Sequence, residues 1–249
     1  MRSLCWAVFA VGMSAGAAMA ADAPSCDSAR QCDAMGGKAY RAKDYARAAA
    51  LYEQQVGWVE QASVDCQVRQ EDHPGRTCPD VGADAYNNAA LAWLRAGQPL
   101  KARAWLARAP ASPSTTHNKG LVDAALASFK APASPVGEYW QYAGFGSWST
   151  VSVTPNGRQF DVQFSGLHFS ANGMKYGPNM GDLSDTVTIT GGHGVMHGDK
   201  DSPSCKVDMK FTGLGLDLAS DGECGFGAGV GAGGQFDRVS TPDAGAAKP

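Results

Sequence analysis

The chain lacks the short signatures of several common chemistries. It has no GxSxG, no HExxH and no P-loop, which excludes the nucleophile elbow of serine hydrolases, the two-histidine zinc helix and the phosphate cradle of nucleotidases. No CxxC pair is present, so the close ligand spacing of a structural zinc site is missing. There is no basic excess either: 21 Lys and Arg stand against 24 Asp and Glu, a net charge of -3, which argues against nucleic acid as a partner. Histidines number five, His73, His117, His168, His193 and His197, scattered with no carboxylate or serine placed to orient or use one. The chain therefore reads as a non-enzyme that needs no cofactor. After the first 20 residues no apolar run reaches the roughly 20 residues needed to cross a bilayer.

What is present starts with an export signature. Arg2 is followed by an apolar run over residues 4–18 and by Ala18-Met19-Ala20, the small-x-small pattern cut by signal peptidase. The expectation is a signal peptide at 1–20, a mature chain from about Ala21, and a periplasmic or secreted location. Loss of Cys5 with the signal leaves Cys26, Cys32, Cys66, Cys78, Cys205 and Cys224. An even number in an exported chain points to disulfides, and their arrangement in three sequence-local pairs predicts Cys26–Cys32, Cys66–Cys78 and Cys205–Cys224.

Composition divides the mature chain. Residues 21–134 are alanine-rich, with 13 basic and 12 acidic residues; residues 135–240 are rich in glycine, β-branched and aromatic residues, with 6 basic and 11 acidic. Between them APASPVG, residues 131–137, suits neither a helix nor a central strand. The expected organisation is a helical domain over 21–130 with a disulfide loop at 63–82, a linker at 131–137, an antiparallel β-domain over 138–240 and a flexible tail at 241–249. The fold class is α + β with two domains.

In the helical half, GGKAYRAKDYARAAALYEQQV (36–56) and AALAWLRAGQPLKARAWLARA (89–109) share one plan: a helix, a short polar break and a second helix. The plan resembles the tetratricopeptide repeat, an array of antiparallel helix pairs. The small residues of that family, needed where two helices touch, correspond to Gly36 and Ala90 in the first helices and to Ala48 and Ala102 in the second. Tyr52 and Leu106 meet its bulky position, whereas Gln55 stands where alanine is usual. A third helix over 118–130 is expected to cover the second pair. The resemblance implies a protein or peptide partner, with Asn88 at the position from which the family often bonds a bound backbone.

The second half alternates with period two. WSTVSVT (148–154) and RQFDVQFSG (158–166) around Asn156-Gly157 predict a hairpin. Further strands are expected at 137–142, 167–170, 185–190, 205–213, 214–220 and 235–239, enough for a small antiparallel barrel or sandwich, with Cys205–Cys224 stapling its last hairpin. GVGAGG (229–234) precedes a strand, not a helix, and so does not read as dinucleotide-binding. GGHGVMHGDKD reads as a surface loop in which His193 and His197 share one side without a metal. Trp140, Tyr142, Phe145 and Trp148 form an aromatic cluster that packing explains better than a sugar platform.

Two functional expectations follow. The first is an exported protein-interaction or envelope-assembly protein that binds through its helical repeats. The alternative rests on a fainter resemblance to exported lysozyme inhibitors and the β-domains found beside them. Ser165 and Gly166 match part of the inhibitors' Ser-Gly-x-x-Tyr loop, with Phe169 in place of the tyrosine, and residues 223–238 resemble the closing hairpin of those β-domains. That resemblance implies a cationic peptidoglycan hydrolase as partner of an acidic β-domain.

Overall fold

The computed structural model describes residues 25–242 apart from 74, 76, 79, 80 and 172. The expected signal peptide, its cleavage point and the end of the tail lie outside the described residues. Five helices form the first half: α1 Ala29–Arg41, α2 Tyr45–Asp72, α3 Asp84–Arg95, α4 Pro99–Arg108 and α5 Pro113–Leu126. Side-chain caps set the starts of three of them, because Ser28, Asp44 and Ser112 each accept a hydrogen bond from a first-turn backbone N–H. The breaks at 42–44 and 96–98 each turn through one left-handed residue, Lys43 (φ 63°) and Gly97 (φ 75°).

The helices pack in chain order, and α5 also touches α3. Ala48, Ala90 and Ala102 have no solvent exposure, and a methyl added to Gly36 would lie 2.7 Å from the Tyr52 ring. Small residues thus set the helix approach at these positions. Ala102→Leu is expected to overpack this contact and lower the unfolding free energy by about 1–3 kcal/mol, as read by urea denaturation. Two boundaries differ from expectation. Helix α2 continues through the first part of the segment expected as a loop. Helix α5 begins at Pro113, because Ser112 caps it and proline suits the first turn. The buried Asn87 and Asn118 side chains bond each other at 2.7 Å and tie α5 to α3.

The second half is an eight-stranded antiparallel sheet: β1 Gly137–Gly144, β2 Ser147–Asn156, β3 Gln159–His168, β4 Asn179–Val187, β5 His193–His197, β6 Lys206–Phe211, β7 Gly215–Asp221 and β8 Gly234–Arg238. A one-turn helix, α6 Gly173–Tyr176, lies between β3 and β4. The strand order β4-β3-β2-β1-β8-β7-β6-β5 curls the sheet into a nearly closed barrel. Strands β4 and β5 meet there without a backbone ladder, and the Asp185 carboxylate accepts from the His197 backbone N–H at 2.9 Å. Alternate residues fill the interior, including Tyr139, Val151, Phe164, Met196, Leu216 and Phe236.

The expected Asn-Gly hairpin is β2–β3, with Asn156 opposite Gln159 and Gly157 at φ 59°. The segment 193–197 is a strand, correcting its reading as a loop: it pairs with β6 along its length. All three expected disulfides are present. Cys205–Cys224 closes the open end of the β6–β7 hairpin rather than the last hairpin, β7–β8.

Candidate functional site

The two halves have separate cores, and an aromatic seam joins them. Its centre is the β1–β2 turn. Gly144, Phe145 and Gly146 all adopt left-handed backbone conformations (φ 98°, 50° and 72°). This places the turn flat against α2, so close that a methyl on Gly146 would lie 2.1 Å from the Glu53 carbonyl oxygen. Only glycine fits at Gly146. Glu60, on α2, receives the turn. One carboxylate oxygen accepts from the Phe145 backbone N–H at 2.5 Å, and the other from the Tyr142 hydroxyl at 2.6 Å and from the Tyr86 hydroxyl. Burial, then the charge of and bond to Glu60, drives the Tyr142 hydroxyl far above its ordinary range; burial, then the bond to Glu60, does the same for Tyr86. Both remain protonated donors.

Two turns of α2 earlier, a single Glu53 carboxylate oxygen accepts from the indoles of Trp93 (2.6 Å) and Trp105 (2.9 Å). Trp105 is fully buried, edge-on to both Tyr142 and Trp148. Lys101 lies between Trp93 and Trp140, 4.5 and 4.8 Å from the ring centroids, with Glu138 at 3.7 Å. Arg103 reaches the carbonyl of Leu214 and, at 3.6 Å, the Asp237 carboxylate. The aromatic cluster is thus packed, as expected, but against the helices rather than within the barrel.

Burial raises the Glu53 carboxyl above its ordinary value, opposed by the two indole bonds and by Lys101. Between the unfolded and folded pKa values the folded state holds the proton longer. This contribution to stability is full below about pH 4.3 and is lost as pH rises through the folded value. Glu53→Gln removes that titration, so its stability relative to wild type is expected to improve from pH 4 upward, as measured by urea denaturation across pH.

Beside the seam a cleft of about 640 Å³ opens between the end of α4 and the outer face of β1, β8 and β7. Arg108, Gln141, Trp148, Asp217 and Gln235 contribute to its lining. Gln141 donates to the Gly233 carbonyl and Asp237 faces Arg103, whereas the exposed Arg108 has no hydrogen-bond or ion-pair partner among the described residues and the Trp148 indole N–H is buried without one. The cleft therefore offers the Arg108 guanidinium as an unused donor, with the Asp217 carboxylate and amide oxygens as acceptors. Its lining holds no serine, cysteine, histidine or lysine.

The residues singled out from sequence lie elsewhere. Asn88 is half-buried on α3, beside the fully bonded Asn87, and its side chain makes no hydrogen bond among the described residues. Ser165 and Gly166 sit within β3, paired to β2 and β4 on its two sides, and Gly166 is packed against Phe164 and Val230. Phe169 follows the strand and stacks on Phe145 at 5.2 Å. These three therefore form no projecting loop. His193 and His197 point outward from β5, and among the described residues no three His, Cys, Asp or Glu side chains gather as a metal site. The segment 229–234 belongs to the β7–β8 connection, which folds over β3 and β4 as Gly227 donates to the Met180 carbonyl. Sequence reasoning missed Glu53 and Glu60, since no local motif marks a charge that acts across two domains. The chain matches no family model, no curated protein and no solved structure.

Proposed function

We propose that this is an exported, non-catalytic protein-interaction protein of the cell envelope, which holds an extended polar segment of its partner in the cleft between helix array and barrel. The exposed Arg108 guanidinium at the cleft carries this reading, because it has no partner among the described residues while Lys101 and Arg103 on the same helix are engaged with the barrel. An extended backbone supplies carbonyl acceptors for Arg108 and N–H donors for Asp217 and the amides. The helix array, in this reading a repeat module of the tetratricopeptide type, supplies Arg108 and fixes the barrel against it. Three disulfides suit an oxidising compartment.

A photo-crosslinking residue at Gln235, in the cleft, and another at Asn88, on α3, test the proposal in intact cells. A discrete adduct is expected from position 235, reduced roughly tenfold by Arg108→Glu, a loss of about 1.4 kcal/mol in affinity. Capture from position 88 alone, or capture indifferent to Arg108, would contradict it. A second reading, inhibition of a cationic peptidoglycan hydrolase, draws support from the exposed carboxylates Asp161, Asp182 and Asp208 on the outer barrel face. It requires the full chain to inhibit lysozyme in a salt-sensitive manner.

A further inference from the structure

A buried cation without an anion lies where the linker meets the barrel. Arg238, on β8, is 1% exposed, and among the described residues no carboxylate lies within ion-pair distance of it. Its two Nη groups donate to the carbonyls of Val136 (3.0 Å) and Ser134 (2.9 Å), and the guanidinium lies over the Tyr139 ring, 4.9 Å from the centroid. The linker is thereby pinned, with the Tyr139 hydroxyl bonded to Pro135 at 2.7 Å. Those contacts leave the Nε–H buried with no partner. Burial lowers the guanidinium pKa below its ordinary value. Neutral carbonyls and a ring offset that desolvation less well than a carboxylate accepting charge-assisted bonds.

Arg238 contributes to the lining of a cavity of about 540 Å³ beneath the linker, with Pro132, Pro135, Ile189 and Phe211 as apolar walls and Thr212 as a polar one. We infer that this cavity binds a small organic carboxylate with a short aliphatic body, the carboxylate taken by Arg238 and the aliphatic part by Ile189, Phe211 and the linker prolines. The unused Nε–H selects the anionic head. The apolar walls select against a fully hydrated inorganic anion, whose remaining oxygens would lose water without replacement. This site is separate from the interdomain cleft and stands or falls independently of it.

Calorimetric titration of the full chain with hexanoate, hexanol and inorganic phosphate tests the inference. Hexanoate is expected to bind saturably at one site, with hexanol and phosphate weaker by roughly tenfold or more. Ile189→Trp fills the cavity while leaving the Arg238 bonds in place, and should weaken hexanoate by about tenfold or more with an unchanged circular dichroism spectrum. Arg238→Lys keeps the charge but loses the Nε–H and should weaken it too; should that variant fail to fold, Ile189→Trp decides alone. Absence of saturable hexanoate binding, equal binding of hexanol or phosphate, or indifference to Ile189→Trp would each overturn the inference.

Discussion

Trp105→Ala is expected to cost about 3–5 kcal/mol, the range for truncating a fully buried large aromatic side chain. The indole fills the helical core while presenting its edges to Tyr142 and Trp148 of the barrel, so truncation opens a cavity shared by both halves. It also removes one of the two N–H groups that stabilise the Glu53 carboxylate at its buried position. For a chain of this size the melting temperature should fall by roughly 6–20 °C. Trp105→Phe keeps most of the packing and loses the N–H, and should fall between the two. Urea denaturation is the measurement, and a loss below about 1 kcal/mol for the alanine variant would mean that the side chain is not packed as described.

Glu60→Ala should be the most damaging change at the docked turn, lowering stability by about 2–4 kcal/mol. It strands the Tyr86 and Tyr142 hydroxyls and the Phe145 N–H together, each unmet donor costing about 1–3 kcal/mol, partly relieved by water because Glu60 is not fully buried. The Phe145 backbone is left-handed, and without its anchoring carboxylate that conformation is held only by the Phe169 ring contact and the Gly146 N–H bond to the Tyr142 hydroxyl. Glu60→Gln can still accept from both tyrosines but offers an N–H to Phe145 in place of an oxygen. Hydrogen exchange at Phe145 should therefore quicken in both variants, while the stability loss is smaller for glutamine. Unchanged exchange at Phe145 would remove Glu60 as the anchor of the turn.

The parts of this fold that were legible in the sequence are those written in local pattern. Alanine at helical spacing placed Ala48, Ala90 and Ala102 at helix crossings, and period-two alternation placed most strands within a few residues. Strand β5 was hidden because Gly191, Gly192 and Gly194 read as loop, although two of these glycines make the tight turn that lets the strand pair. Strand β4 was expected to start six residues later than it does, since its Asn179–Val187 segment carries aspartate and serine on the outward face and a buried glycine, Gly181, among its inward residues. The linker read as unattached because proline disfavours regular structure. Its restraint comes from Arg238, about a hundred residues away.

The candidate site was less legible for the same reason. Glu53 meets Trp93 and Trp105 at separations of 40 and 52 residues, and Glu60 meets Tyr142 at 82. Nothing in the sequence pairs these positions. The aromatic cluster was visible as a cluster, but which surface it covers depends on how two independent patterns dock.

The central claim is that the seam makes helix array and barrel one cooperative body, with the cleft as its consequence. Four of the five described tryptophans, Trp93, Trp105, Trp140 and Trp148, lie in that seam, so tryptophan fluorescence reports it directly. Urea unfolding of the full oxidised chain followed by fluorescence and by far-ultraviolet circular dichroism should give coincident transitions with one midpoint. Loss of the fluorescence signal at lower urea, with the helical and strand signals persisting to higher concentration, would contradict the claim.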